Sequence, residues 1–358
     1  MRRRTVLAGL AAALASPAYS AEPLLRRVAG QLLLVGFAGT APGQPGVEAV
    51  ARQIAEGAIS GVLLLDRNIE GPSQLARLTA RLSREGKPFI AIDQEGGRVA
   101  RLRPRKGFAR WHSAREVARR HGADGAAGYY APRARELARL GINLNLGPVV
   151  DLDLGAASPV IGRLGRAFSS DPAEVAATAQ AFVEAHRVAG VATALKHFPG
   201  HGSARVDSHD SLPDVTATWH EEELAPFRDL ARAGMIDMVM TAHLMHPAFS
   251  DAPGVPSSLS ARTVNAIRTE LGFGGVVITD DLQMGAVSAL HDPAEAAIRA
   301  LAAGSDLVIL AASRTPDRLI GPAVGDAVVA AALDGRLSER ALARSFLSVT
   351  ALKERMGI

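Results

Sequence analysis

Apolar residues along the chain fall into short continuous runs, and the segments between them carry apolar positions three or four apart. The runs lie at 31–37, 61–65, 89–93, 143–150, 191–196, 238–243, 276–279 and 306–310. Near-continuous apolar runs of about four to eight residues mark strands covered on both faces. The intervening segments read as helices. Asp171-Pro172-Ala173-Glu174 opens one with an acid at the cap and a proline in the first turn, ahead of Val175, Thr178, Phe182 and Val183 at helical spacing. Thr218 and Glu221 form a capping-box pair before Leu224, Phe227 and Leu230. A last helix over 338–356 aligns Leu342, Phe346, Val349 and Leu352 on one stripe. Strands alternating with helices, without repeat or linker, predict an α/β fold, a single (β/α)8 TIM-type barrel over 21–358. A doubly wound open sheet is the alternative.

Composition adjusts this picture at the amino terminus. The formal net charge of +4 would suggest nucleic acid as a partner, but Arg2, Arg3 and Arg4 account for three of those charges. No basic run interleaved with aromatic residues follows, so nucleic-acid binding is not expected. The opening stretch "MRRRTVLAGLAAALASPAYSAEP" has a basic start, an apolar middle and small residues at Ala18 and Ser20. That is the make-up of an export signal over 1–20, cleaved after Ser20, and Arg3-Arg4 before Thr5-Val6-Leu7 resembles a twin-arginine signal. The expected location is periplasmic or secreted, or cytoplasmic if the stretch is only an alanine-rich first helix. Its apolar part falls well short of the roughly 20 residues that cross a bilayer, so no membrane span is expected. With no cysteine in the chain, disulfides and thiolate metal sites are excluded.

The dense polar clusters all follow strands. The third run leads into "AIDQEGGRVAR", with Asp93, Glu95, Arg98 and Arg101; the fourth into "LGPVVDLD" and "PVIGRLGRAFSSDP"; the fifth into "KHFPGHGSARVDSH"; the sixth into "MTAH"; the seventh into "ITDDLQM". In a barrel the carboxyl ends of the strands build the active site. Taken singly, Asp93 and Asp280 could merely cap the helices that follow, and isolated histidines are more often structural than functional. A metal would need His197, His201, Asp207, His209 or His243 as ligands, but HxxxH across a Pro-Gly loop does not place two imidazoles on one helical face. The loop over 199–217 is long for a barrel connection, which points to function. In it Asp207 and His209 stand two apart. An extended stretch would put both on one side, the acid fixing the imidazole tautomer and leaving its other nitrogen to exchange protons.

"KHFPGHG" with "DSH", "DQEGGRV" upstream and "TDDL" downstream together resemble the β-N-acetylhexosaminidase branch of glycoside hydrolase family three, over the stretch from "GVLLLDRN" to "AAGSDLVIL". The resemblance implies a (β/α)8 barrel that needs no cofactor and acts on amino-sugar glycosides such as peptidoglycan fragments. It implies Asp280 as the nucleophile and His209, paired with Asp207, as the acid/base. Asp93, Arg101, Arg166, Lys196 and His197 match the positions that hold the hydroxyls of the non-reducing sugar. "IGRLGRAFS" interposes three residues where the family has one, which leaves Arg163 as a rival to Arg166. Asp281 should face away from Asp280 and serve structure, and His201 should shape its loop. A monomeric retaining exo-β-N-acetylglucosaminidase is expected. A phosphorylase of the same family and a non-catalytic sugar-binding barrel are the alternatives.

Overall fold

Eight parallel strands close on themselves in chain order in the computed structural model, which describes residues 21–311 and 320–358. The expected export signal lies outside the described residues. The strands are β1 (Leu33–Val35), β2 (Gly61–Leu64), β3 (Phe89–Ile92), β4 (Leu144–Asn145), β5 (Ala192–Phe198), β6 (Met238–Thr241), β7 (Val276–Asp281) and β8 (Leu307–Leu310). The barrel closes where Leu33, Leu34 and Val35 pair with Val308, Ile309 and Leu310. Apart from the last two residues of β7, every strand residue is buried, as both-face coverage requires.

Around the barrel run α1 (Ala21–Gly30), α2 (Pro45–Ala55), α3 (Pro72–Ser83), α4 (Ala114–Arg139), α5 (Pro172–Val188), α6 (Ala225–Arg232), α7 (Ala261–Glu270), the short α8 (Gly285–Ser288), α9 (Pro293–Ala302), α10 (Gly321–Leu333) and α11 (Glu339–Met356). Their starts follow elementary capping chemistry. The Asp171 carboxylate accepts from Ala173 N at 2.8 Å, Asp292 from Ala294 and Glu295, and Ser338 Oγ from Ala341 N at 3.3 Å. Among the described residues no helix is long and apolar enough to cross a membrane.

The departures from expectation have local causes. β4 stops at Asn145 because the Gly147 amide turns back to the Asn145 carbonyl and Pro148 has no N–H to give. The chain nevertheless stays beside β5 through single bonds from Ala194 to Gly147 and from Val150 to Lys196. The expected capping box at Thr218 does not form. The chain turns there through Thr218 and Trp219 amides onto the Val215 carbonyl, Thr218 Oγ1 has no partner among the described residues, and a short 3₁₀ turn over Glu221–Leu224 precedes α6.

One buried histidine ties the outer layer to the barrel. His186 of α5 stacks on Phe182 with ring centroids 3.9 Å apart, donates from Nδ1 to the Phe182 carbonyl and accepts from Asn145 of β4. Burial lowers its imidazole to about 4, against an ordinary value near 6.5. Since the unfolded chain takes up this proton first, the stability the site contributes is full above pH 6.5 and is lost as pH falls towards 4. In denaturant titrations, the stability gap between wild type and His186→Gln should therefore narrow by on the order of 2–3 kcal/mol between neutral pH and pH 4. A gap independent of pH would contradict this.

Candidate active site

Parallel strands deliver all their carboxyl ends to one mouth, and there a buried ionic cluster joins three separate pieces of chain. Glu95, after β3, accepts a two-pronged bond from Arg166 (Nε to Oε2 and Nη2 to Oε1, both 2.8 Å) and lies 2.7 Å from Lys196 Nζ of β5. Lys196 also reaches Asp93 at 2.9 Å, and Arg101 stands 3.4 Å from the other Asp93 oxygen. Burial alone would raise the Glu95 carboxyl, but Arg166 and Lys196 outweigh it and hold the acid far below the carboxylate range. The next layer fixes this one. Asn145 accepts from the Gln94 amide at 3.0 Å, and Gln94 Oε1 accepts from the Arg101 and Leu102 amides, which sets the segment after β3 in place.

Behind Arg166 sits His197, whose Nδ1 donates to Asp151 at 2.6 Å while Nε2 faces Arg166 Nη2 at 3.2 Å. Both ring nitrogens of His197 are thus engaged within the protein. Asp151 is fully buried and also accepts from the backbone amides of His197 and His201. Arg166, not Arg163, takes the place in the cluster: Arg166 is buried, whereas Arg163 is exposed and, among the described residues, contributes only a backbone bond to Ser158.

Asp280 lies near the end of β7 and lines the cavity above this cluster. Burial would raise its carboxyl, but His243, His197 and Lys196 around it prevail and bring it down to about 2. Asp281, expected to face away, has its carboxylate engaged by the Gln283 and Ala311 amides and its carbonyl 2.8 Å from His243 Nε2, yet it still lines one lobe of the cavity. The cavity has two lobes, of about 180 and about 200 Å³, that share Asp93, Arg101, His209, Asp280 and Met284. Arg101 Nε is buried and has no partner among the described residues. Among the described residues no group of three or more His, Asp or Glu is placed to hold a metal ion.

His209 reaches the cavity on the long loop after β5. Its bond to Asp207 (Nδ1 to Oδ1, 2.8 Å) does form, but not through an extended stretch. Asp207 Oδ1 also accepts the His209 amide, and the Asp210 and Ser211 amides bond to the Asp207 carbonyl, so the pair is made by an Asx turn. The loop is held on two sides. At its base, buried Glu223 accepts from the Gly202 and Ser203 amides, and a Cβ on Gly200, whose φ is +120°, would lie 2.5 Å from the Glu223 side chain. Burial raises the Glu223 carboxyl to about 7. His201, buried and lowered to about 4 by burial and by nearby His197, meets Ser208 Oγ at 3.2 Å. At its tip, the carbonyls of Ser208 and His209 accept from the Ala286 and Gly285 amides at the start of α8, five residues after Asp280.

The structure therefore brings Asp93, Arg101, Arg166, Lys196, His197, Asp280, Asp207 and His209 to one mouth. Sequence reasoning had no role for Glu95, Asp151 or Glu223. Glu95 carried a usable signal, an acid two residues beyond Asp93 at a strand end; Glu223, the last of three successive glutamates, carried none.

A closed (β/α)8 barrel with a small, charge-lined cavity at the carboxyl ends of its strands defines an enzyme-type barrel for a compact polar ligand. The chain belongs to glycoside hydrolase family 3: residues 24–352 match the family's model, "Glycosyl hydrolase family 3 N terminal domain". It is 38% identical over 268 residues to a beta-hexosaminidase of Pseudomonas aeruginosa, covering 73% of this chain and 77% of that protein. It is 36% identical over 274 residues to beta-hexosaminidase A of Pseudoalteromonas piscicida, covering 70% of this chain. Among solved structures, a family 3 beta-N-acetylglucosaminidase from Paenibacillus sp. str. FPU-7 superposes with a TM-score of 0.84 at 35% identity, over 93% of this chain. The match spans 46% of the Pseudoalteromonas protein and 62% of the Paenibacillus one.

Gly285 is where the loop and the β7 segment meet. A Cβ there would lie 2.4 Å from the His209 carbonyl oxygen and 2.6 Å from that of Asp210, both backbone atoms that must move to admit it. Gly285→Ala should therefore shift His209 away from the cavity and lower turnover by on the order of 10²-fold, with a melting temperature within a few degrees of wild type. Turnover unchanged in a folded variant would show that the contact does not position the loop.

Proposed function

We propose that this protein is a retaining, exo-acting β-N-acetylglucosaminidase that removes terminal non-reducing N-acetyl-β-glucosaminyl residues from peptidoglycan fragments in the periplasm or outside the cell. The observation that carries the reading is the pairing, on one cavity, of an ionised Asp280 with a histidine held by Asp207. The segment over 1–20, with its export-type pattern, supports the location and thereby the cell-wall substrate.

In the first step Asp280 attacks the anomeric carbon as His209, through Nε2–H, protonates the departing oxygen, giving a covalent glycosyl-enzyme. Nδ1–H of His209 stays on Asp207 throughout, which keeps Nε2 as the nitrogen that exchanges the proton. In the second step the neutral imidazole takes a proton from water as the water attacks the same carbon and the bond to the Asp280 oxygen breaks, releasing the carboxylate. Two displacements restore the β configuration. Asp93, Arg101, Arg166 and Lys196 grip the ring hydroxyls, and His197 holds Arg166 from behind. All these groups come from one chain, and the chemistry needs no cofactor.

Hydrolysis of an aryl N-acetyl-β-glucosaminide beside the matching β-glucoside tests the reading, with the first expected to be turned over far faster. Free sugar should be the product in phosphate buffer as well; sugar 1-phosphate would make the enzyme a phosphorylase. Asp280→Ala should abolish turnover without unfolding the chain, and substantial residual retaining activity would assign the nucleophile elsewhere. His209→Ala should slow substrates with poor leaving groups by roughly 10²–10⁴-fold and activated aryl glycosides far less. Equal losses on both would count against the acid role.

A further inference from the structure

The run "MTAH", which carries β6 to the mouth, ends on a histidine with no part in the chemistry so far. His243 is fully buried, and both of its ring nitrogens meet neighbours. Nδ1 lies 2.6 Å from Ser258 Oγ in the loop after β6, and Nε2 lies 2.8 Å from the Asp281 carbonyl oxygen at the end of β7. A carbonyl only accepts, so Nε2 carries a proton; in the neutral ring Nδ1 is then the acceptor and the Ser258 hydroxyl the donor. Ser258 is fully buried too, in a 3₁₀ turn over Ser257–Leu259. That turn is fastened to the end of β6, because the amide and the hydroxyl of Ser257 both reach the Leu244 carbonyl at 2.7 Å. A chain of hydroxyl, imidazole and carbonyl therefore runs from the loop after β6 to β7.

The carbonyl it reaches belongs to an irregular part of the strand. β7 pairs with β8 at Ile278 and Leu307 and next at Asp281 and Ile309, so three residues of β7 span two of β8. The extra residue bulges the strand, and bulges beside active sites re-aim side chains. Asp280 lies within this stretch. The Asp281 amide donates to Asp280 Oδ1 at 2.8 Å, while the Asp281 carbonyl accepts from the Met284 amide at 3.0 Å as well as from His243. Asp281 thus holds the nucleophile with its amide and is itself held through its carbonyl.

We propose that His243 and Ser258 are positioning residues for the nucleophile, the imidazole clamping the Asp281 carbonyl so that the bulge presents Asp280 to the anomeric carbon. The proposal rests on the glycosidase reading above. Oδ1 stays tied to Asp281, and Oδ2 is the oxygen that attacks. The groups assigned to the sugar hydroxyls, Asp93, Arg101, Arg166 and Lys196, come from other strands and loops. Losing the clamp therefore misaims the carboxylate while the hydroxyl contacts persist, which slows bond making and leaves substrate affinity in place.

The test uses the full chain and a series of aryl N-acetyl-β-glucosaminides of graded leaving-group ability. The side-chain amide of Gln places a donor where Nε2 was, whereas that of Asn falls at the Nδ1 position. His243→Asn should lower kcat about 10²-fold, with KM within about threefold of wild type. The loss should be alike for good and poor leaving groups, unlike the loss on replacing His209. His243→Gln should recover about tenfold of it, because the donor to Asp281 returns. Ser258→Ala should lower kcat alone and add little in the His243→Asn background, as members of one chain do. A folded His243→Asn with wild-type kcat, a loss confined to KM, a loss that grows with poorer leaving groups, or equal losses in the Asn and Gln variants would overturn the proposal. If His243→Asn does not fold, a folded Ser258→Ala that keeps wild-type kcat overturns it, and a lowered kcat at unchanged KM supports it. A wild-type chain that hydrolyses no member of the series would instead sink the glycosidase reading itself.

Discussion

Everything at the barrel mouth is arranged around one buried carboxylate. Glu95 is the shared counter-charge of Arg166 and Lys196, which arrive from the loop after β4 and from β5. Taking three charges out of water is costly, and it is tolerable only because each is paired at hydrogen-bond distance. Remove Glu95, and two cations are left facing each other in a buried site. With it, the positions of Lys196 beside Asp93 and of Arg166 beside His197 follow, and His197 passes the constraint to Asp151 and His201. The cluster also supplies, through Lys196, part of the positive field that keeps Asp280 ionised.

The second constraint is the joining of the loop after β5 to the segment after β7. A loop of this length would ordinarily cost entropy to order, and its bonds to Glu223, His201 and the start of α8 offset that cost. The arrangement couples the group that would move protons to the strand that carries the carboxylate. Using histidine opposite Asp280 also has an electrostatic advantage over a second carboxylate: a neutral or cationic imidazole does not push the Asp280 carboxyl upwards.

Charge is handled in opposite ways on the two faces of the segment after β3. Inside, acids and bases are matched atom by atom. Outside, arginines collect with no equal number of acids to meet them. Two glycines make the change of direction possible, because the turn needs positive φ at Gly96 and Gly97 and lies against the backbone at 112–113.

The barrel was legible in the chain itself. Strands buried on both faces must be apolar at every position, helices must be apolar on one stripe, and parallel strands must place their polar termini together, so periodicity alone pointed to the architecture and to the mouth. Asp280 and Lys196 stood out because they end such runs, Asp207 and His209 because an acid and an imidazole stand two apart in a long polar loop, and their roles came from the family resemblance. Other features could not be read there. The choice of Arg166 over Arg163, the role of Glu95 as shared counter-charge and the support from Asp151 and Glu223 depend on which side chains meet across the mouth, and the Asx turn that pairs Asp207 with His209 leaves no mark in hydrophobic periodicity. The charged meetings join residues distant in sequence, 46 positions for Asp151 with His197, 71 for Glu95 with Arg166 and 103 for Asp93 with Lys196. Hydrophobic pattern is a local property of the chain; charge compensation is a property of the space the chain encloses, and only the closed barrel creates that space.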